Sequence, residues 1–196
     1  MALTYSKPAQ LGSLAPAFSL PGVDDKTYEL KDFYGSSVLV VVFMCNHCPY
    51  VIAVEDRMTA LARLFRSSGV QWVGINSNDS ERYPEDSFEK MKQRAKDKGF
   101  VFPYLWDETQ SVAKSYGAVC TPDFFLYKRV PHAVSPNRFE FQLQYQGRLD
   151  DSWKDESQVK SQDLKQAIEH CLSGLDPLED QKPSMGCSIK WKPASE

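Results

Sequence analysis

Val38 to Phe43, "VLVVVF", is an unbroken apolar run rich in β-branched residues. A strand with one face in water alternates polar and apolar side chains; this run does not, so it calls for a central strand covered on both faces. Beyond it, Val51, Val54, Met58, Leu61 and Phe65 recur at spacings of 3, 4, 3 and 4, which draws one apolar stripe down a helix ending near Gly69. "VQWVGINSN" then reads as a second strand. Strand, helix and strand in this order form a right-handed βαβ unit with parallel strands. The chain is therefore expected to be an α/β protein, with a central mixed sheet flanked by helices.

The remaining segments fit around that unit. Residues 13 to 35 mix short apolar runs with Pro and Gly, an irregular lead-in with a small hairpin around Asp24 and Asp25. A polar helix is expected from about Pro84 to Lys98, with Gly99 as its C-terminal cap, and a short one from Ser111 to Tyr116. "PDFFLYK" and "FEFQLQYQG" read as strands whose connection, residues 130 to 138, is too short for a crossover, which makes them antiparallel. A last helix places Leu164, Ala167, Ile168, Cys171 and Leu172 on one face. Residues 1–173 read as one domain and 174–196, rich in Pro, Gly and charge, as a tail packed along the surface.

Composition narrows the function. The chain has 196 residues, 42% of them hydrophobic and 25% charged, enough for one well-buried core. The net charge of −3, with both signs interspersed, lacks the footprint that nucleic acid or an anionic membrane demands. The longest apolar stretch falls short of the roughly 20 residues that span a bilayer, and the N-terminus lacks signal-peptide order. A cytoplasmic location is the expectation. Five cysteines are too few and too scattered for a disulfide-stapled scaffold, so a reducing compartment fits.

There, a close cysteine pair points to redox chemistry or metal binding. Cys45 and Cys48, in "FMCNHCPYV", stand where the buried strand turns into the helix. The free amides of a helix N-terminus stabilise a thiolate. Two intervening residues keep the sulfurs on one side of the first turn, so the pair can also close a disulfide. On this reading Cys45, nearer the helix start and more exposed, attacks, and Cys48 resolves the mixed disulfide. His47, when protonated, would favour the thiolate further and shift the potential. Cys171 falls on a core stripe. Cys120 is read as a small buried hydrophobe or a third redox thiol, and Cys187 as a thiol the tail could carry to the dithiol.

With Thr121 and Pro122 entering the strand pair in "CTPDFF", this order of elements resembles the thioredoxin superfamily. "GSLAPAFSLPGVDDKTYELKDFYG", "FPYLWDETQSVAKSYGAVCTPDFFLY" and "YQGRLDD" are similar to its redoxin branch of alkyl hydroperoxide reductases and thiol-specific antioxidants, across residues 11 to 172. The resemblance implies a thioredoxin-like fold, a cis-proline at Pro122 beside the dithiol, and a thiol-disulfide oxidoreductase that needs no cofactor. Its substrate would carry a disulfide or a peroxide, and an external thiol reductant such as a thioredoxin system would renew its electrons.

Two alternatives stay open. Cys48-Pro49 matches the peroxidatic cysteine of peroxiredoxins, which implies a thiol peroxidase with Cys48 peroxidatic and Cys45 or Cys187 resolving. The family's threonine three residues earlier is replaced by Cys45, its proline four residues further back by Val41, and its activating arginine is missing near Thr121. Fast peroxide reduction would then lack its electrostatic source. The other alternative is copper or zinc on Cys45, His47, Cys48 and Cys120 with His132 or His170; neither distant histidine is placed to reach the dithiol, so no metal is assigned. Phe43, Trp72, Trp106, Phe124 and Phe125 are read as core or cleft wall, and Gly147-Arg148 with Asp150-Asp151 as a turn.

Overall fold

In the computed structural model, which describes residues 3–8, 10–135 and 137–193, all six residues of the "VLVVVF" run are buried. In chain order the elements are β1 (Leu3–Tyr5), β2 (Ser19–Pro21), β3 (Thr27–Glu29), β4 (Val38–Phe43), α1 (Pro49–Phe65), β5 (Val70–Asn76), α2 (Phe88–Lys98), β6 (Tyr104–Trp106), α3 (Ser111–Tyr116), β7 (Cys120–Thr121), β8 (Asp123–Pro131), β9 (Phe139–Gly147), α4 (Asp163–Leu172) and β10 (Met185–Ser188). The main sheet has the order β6-β5-β4-β8-β9, with β4 at its centre. β4 and β5 pair in parallel, as do β5 and β6, while β8 runs antiparallel to β4 and to β9. This is the thioredoxin-like, mixed α/β arrangement expected from the sequence.

Alternation along β4 divides the core. Val38, Val40 and Val42 pack with α1 and α4, whereas Leu39, Val41 and Phe43 pack with α3 and the β2–β3 hairpin. On α1 the expected stripe faces inward: Val51, Val54, Met58 and Phe65 are buried, and Leu61 is half-buried. Each such side chain stabilises by about 1.5–3 kcal/mol when fully covered. α1 ends at Phe65, and a 3-10 turn carries the chain to Gly69, whose φ of 78° lies in the left-handed region that glycine enters without strain. The stripe of α4 likewise buries Leu164, Ala167, Ile168 and Cys171.

Several expectations are revised. The helix read from Pro84 splits into a 3-10 turn, Pro84–Asp86, and α2, because Asp86 turns inward and Ser87 is extended. β6 is an added strand, pairing beside β5. Pro122 separates β7 from β8 rather than opening one strand, and the Thr121-Pro122 peptide is cis.

The largest revision lies beyond Ser173. β10 is the middle strand of a second sheet, β1-β10-β7, so this stretch is structural and not a surface strap. Its hydrogen bonds explain why a polar, Pro-rich segment is ordered: its backbone groups are satisfied by two neighbouring strands. No helix among the described residues is long and apolar enough to cross a membrane.

Candidate active site

β4 ends at Phe43, and the next five residues pass over the end of the sheet before α1 begins. Met44 N donates to Ile75 O at 2.9 Å, which extends the β4–β5 ladder by one bond. Asn46 then clamps the loop. Its backbone N donates to Asp86 Oδ1 at 2.7 Å, its side-chain amide donates to Glu85 O at 2.8 Å, and its Oδ1 accepts from Tyr104 at 3.1 Å. Cys48 is the N-cap of α1 and Pro49 its first residue, where a missing N–H costs nothing.

The two cysteines are reduced and side by side, their thiols hydrogen-bonded to each other. Both are sealed, Cys45 with 1% of its surface exposed and Cys48 with 0%, so the greater exposure expected of Cys45 is not found. Thr121, just before the cis-proline, touches both: its Oγ1 lies 3.5 Å from Cys45 Sγ, and its carbonyl accepts from Cys48 Sγ at 3.1 Å. Thr121 thus occupies the position beside the dithiol that the resemblance implied.

Electrostatics separate the pair. The Cys45 thiol, the Cys187 thiol and the backbone amide of Val51 lower the Cys48 thiol to about 5, against burial. The Cys45 thiol is pushed well up by its hydrogen bond to Cys48, by burial and by the negative charge of Asp86. In the reduced pair the Cys48 thiol donates to Thr121 O, and these shifts make Cys48 the first of the two to give up its proton. The sequence reading had Cys45 attacking, from its place near the helix start and its expected exposure; both sulfurs are equally sealed, and the largest influence lowering Cys48 is its hydrogen bond with the Cys45 thiol.

Asp86 is the residue the sequence did not reveal. It is fully buried, and its second oxygen accepts from Asn78 Nδ2 at 2.7 Å and lies 2.7 Å from His47 Nδ1. The hydrogen bond to Asp86 raises the His47 pKa against its burial, and the imidazole stacks on Tyr83 at 5.5 Å. His47 thus leans on a carboxylate. Cys45 Sγ, a ring nitrogen of His47 and an Asp86 oxygen lie within 4.8 Å of one another, the grouping among the described residues whose donor atoms could meet at a metal. Asp86 already serves Asn46, Asn78 and His47, so the arrangement reads as a proton-sharing cluster. His132 belongs to the β8–β9 turn and His170 to α4, away from it.

The remaining cysteines divide. Cys120 is fully buried and its thiol is pushed up, chiefly by burial. Cys171 is core, as expected from its stripe, and burial raises it to about 11. Cys187 is 3% exposed, lies opposite Thr121 in the β10–β7 pairing and hydrogen-bonds to Cys48. The Asp150-Asp151 turn is structural: Asp150 pairs with Arg57 of α1, and Asp151 accepts from Lys160 N.

A crystal structure of an uncharacterized conserved protein from Geobacillus kaustophilus matches this chain with a TM-score of 0.89 at 41% identity, covering 100% of this chain and 99% of that one. Peroxiredoxin Bcp of Escherichia coli (strain K12) is 31% identical over 114 residues, 56% of this chain and 65% of that protein. The thiol-disulfide oxidoreductase ResA of Bacillus thuringiensis subsp. konkukian is 25% identical over 129 residues, 63% of this chain and 66% of that protein. The chain thus spans less than two thirds of the length of these two curated relatives. The model of the AhpC/TSA family matches residues 11–148, a stretch that holds the dithiol, Asp86, the cis-proline and every strand of the main sheet, and the chain belongs to that family.

Proposed function

We propose that the chain is a thiol-disulfide oxidoreductase whose redox centre is the Cys45/Cys48 dithiol, with Cys48 the attacking sulfur. One observation carries the reading: the thiols of Cys45 and Cys48 stand together at a helix N-terminus, both in contact with Thr121 beside the cis-proline. Cys48 attacks one sulfur of a substrate disulfide and the other leaves as a thiolate. Cys45 then displaces the bound substrate sulfur, closing the Cys45–Cys48 bond as the second half leaves. The proton that Cys45 gives up has an acceptor nearby in the Asp86–His47 pair. Thr121 packs against both sulfurs, with the cis-proline Pro122 next to it. An external thiol reductant, such as a thioredoxin system, would return the electrons, and the pair needs no further cofactor.

A second reading is supported by the seal over the sulfurs, by Pro49 directly after Cys48 and by similarity to Peroxiredoxin Bcp. A peroxide is small enough for such a centre. Attack by Cys48 would yield a sulfenic acid and release water or an alcohol; condensation with Cys45 would release water and form the same disulfide. The neighbours of Cys48 are thiols and an amide, whereas Arg57, Arg94 and Arg148 are engaged with Asp150, Glu55 and Asp163. Without a guanidinium on the peroxide, this route is the slower one.

Equilibration with glutathione buffers of graded potential, followed by thiol blocking and mass mapping, tests the reading. The expected product is a Cys45–Cys48 disulfide. Initial attack on an aromatic disulfide should survive Cys45→Ser and vanish in Cys48→Ser. The reverse pattern overturns the assignment of roles, and absence of the linkage overturns the function.

A further inference from the structure

The β10 strand brings a third sulfur to the dithiol. Cys187 lies opposite Thr121, the residue whose carbonyl accepts from Cys48, and its own thiol is hydrogen-bonded to Cys48. The strand is drawn tight there. A Cβ on Gly186 would stand 1.9 Å from Thr121 O and 2.7 Å from its carbonyl carbon, so only glycine permits this approach.

Both ends of the segment are pinned. Ser184 N donates to Ser6 Oγ at 2.8 Å, and Lys190 N donates to Asn78 Oδ1 at 2.9 Å. Asn78 in turn donates to Asp86, which carries Asn46 and His47 of the redox loop. The C-terminal strand and the dithiol loop are thus held in one hydrogen-bonded frame.

We propose that Cys187 is a third redox thiol and that Cys48 has two disulfide partners, Cys45 within the loop and Cys187 on β10. The proposal rests on Cys48 being the reacting sulfur. Cys187 attacks the Cys48 sulfur of the Cys45–Cys48 disulfide; the Cys48–Cys187 bond forms, Cys45 leaves, and the proton lost by Cys187 ends on Cys45. No electrons enter or leave the chain in this exchange. When Cys48 instead holds a mixed disulfide, the same attack expels the substrate thiol. Either way the outcome is a covalent staple between α1 and the C-terminal strand.

The test uses the full chain, oxidised glutathione as the probe and mass mapping after thiol blocking. In Cys45→Ser the expected product is a Cys48–Cys187 linkage with little glutathione retained, and in Cys45→Ser/Cys187→Ser a stable glutathione adduct on Cys48. Equal adduct in both variants overturns the proposal while leaving the dithiol function intact. A Cys48 that takes up no glutathione in either variant, with no Cys45–Cys48 bond in the wild type, overturns both. Gly186→Ala keeps all five cysteines but forces β10 off Thr121. It should slow the Cys48–Cys187 linkage at least about tenfold and leave Cys45–Cys48 closure in place; an unchanged rate overturns the docking argument.

Discussion

Asp123, the first residue of β8 and the neighbour of the cis-proline, is fully buried opposite Phe43. Burial raises its carboxyl from 3.8 to about 8, so at neutral pH it is chiefly protonated. The geometry agrees. Gln146 Nε2 donates to Asp123 Oδ2 at 3.3 Å, while Asp123 Oδ1 and Gln146 Oε1 both lack a partner. A proton on Oδ1 supplies the donor that this acid–amide pair is missing.

Asp123→Asn puts an N–H group where the acid carries its O–H, without the ionisation. Because the folded-state pKa lies above the unfolded one, the stabilisation from the protonated form is complete below about 3.8 and is lost as pH rises through about 8. Between those limits the slope is about 1.4 kcal/mol per pH unit. From pH 5 to pH 7 the wild type should lose on the order of 2–3 kcal/mol that the variant keeps, and above pH 8 the difference should level off. Urea unfolding of both proteins under reducing conditions at several pH values measures it. A stability difference that stays constant from pH 5 to pH 8 would refute a neutral, buried Asp123.

Two further outcomes follow from the site and its helices. The ultraviolet absorbance of the Cys48 thiolate should titrate near pH 5, and Cys45→Ala, which removes the largest hydrogen bond lowering it, should move the midpoint upward; an unchanged midpoint would show that Cys45 does not hold that charge. Here the folded-state value is depressed, so stabilisation by the thiolate is full above about 9 and is lost as pH falls to about 5, the opposite slope to Asp123. On the helices, Glu55 of α1 is fully buried and is held by Arg94 of α2 at 2.7–2.9 Å and by Lys98 at 2.8 Å. Arg94→Ala should cost about 2 kcal/mol in urea unfolding, less than a wholly uncompensated charge because Lys98 stays on the carboxylate, and Glu55→Leu with Arg94→Leu should restore most of it; a silent single variant would contradict the buried pair.

The main sheet was legible because its evidence is local. An unalternating β-branched run, a 3-4-3-4 stripe and a second apolar strand specify a βαβ unit without reference to anything distant. The cysteine spacing, at the junction of strand and helix, marked the redox centre for the same reason. β6 escaped because "YLW" is three residues long and carries no period. Asp86 escaped because it lies among the acidic residues of "YPEDSFEK", where an inward-facing carboxylate looks like its solvated neighbours. The tail was misread for a related cause: β10 has little apolar signal of its own and is ordered by the backbone groups of β1 and β7.

By itself the sequence determined the βαβ unit and the antiparallel strand pair, that β4 lies at the centre, and that two sulfurs stand at the mouth of a helix. The tertiary structure alone decided that both thiols meet Thr121, which carboxylate faces Cys45, and that a third sulfur joins them from a strand 139 residues after Cys48. The physical reason is range. Periodicity and capping act within a few residues along the chain, whereas pKa values and disulfide choices depend on neighbours within a few ångströms, brought together only by folding.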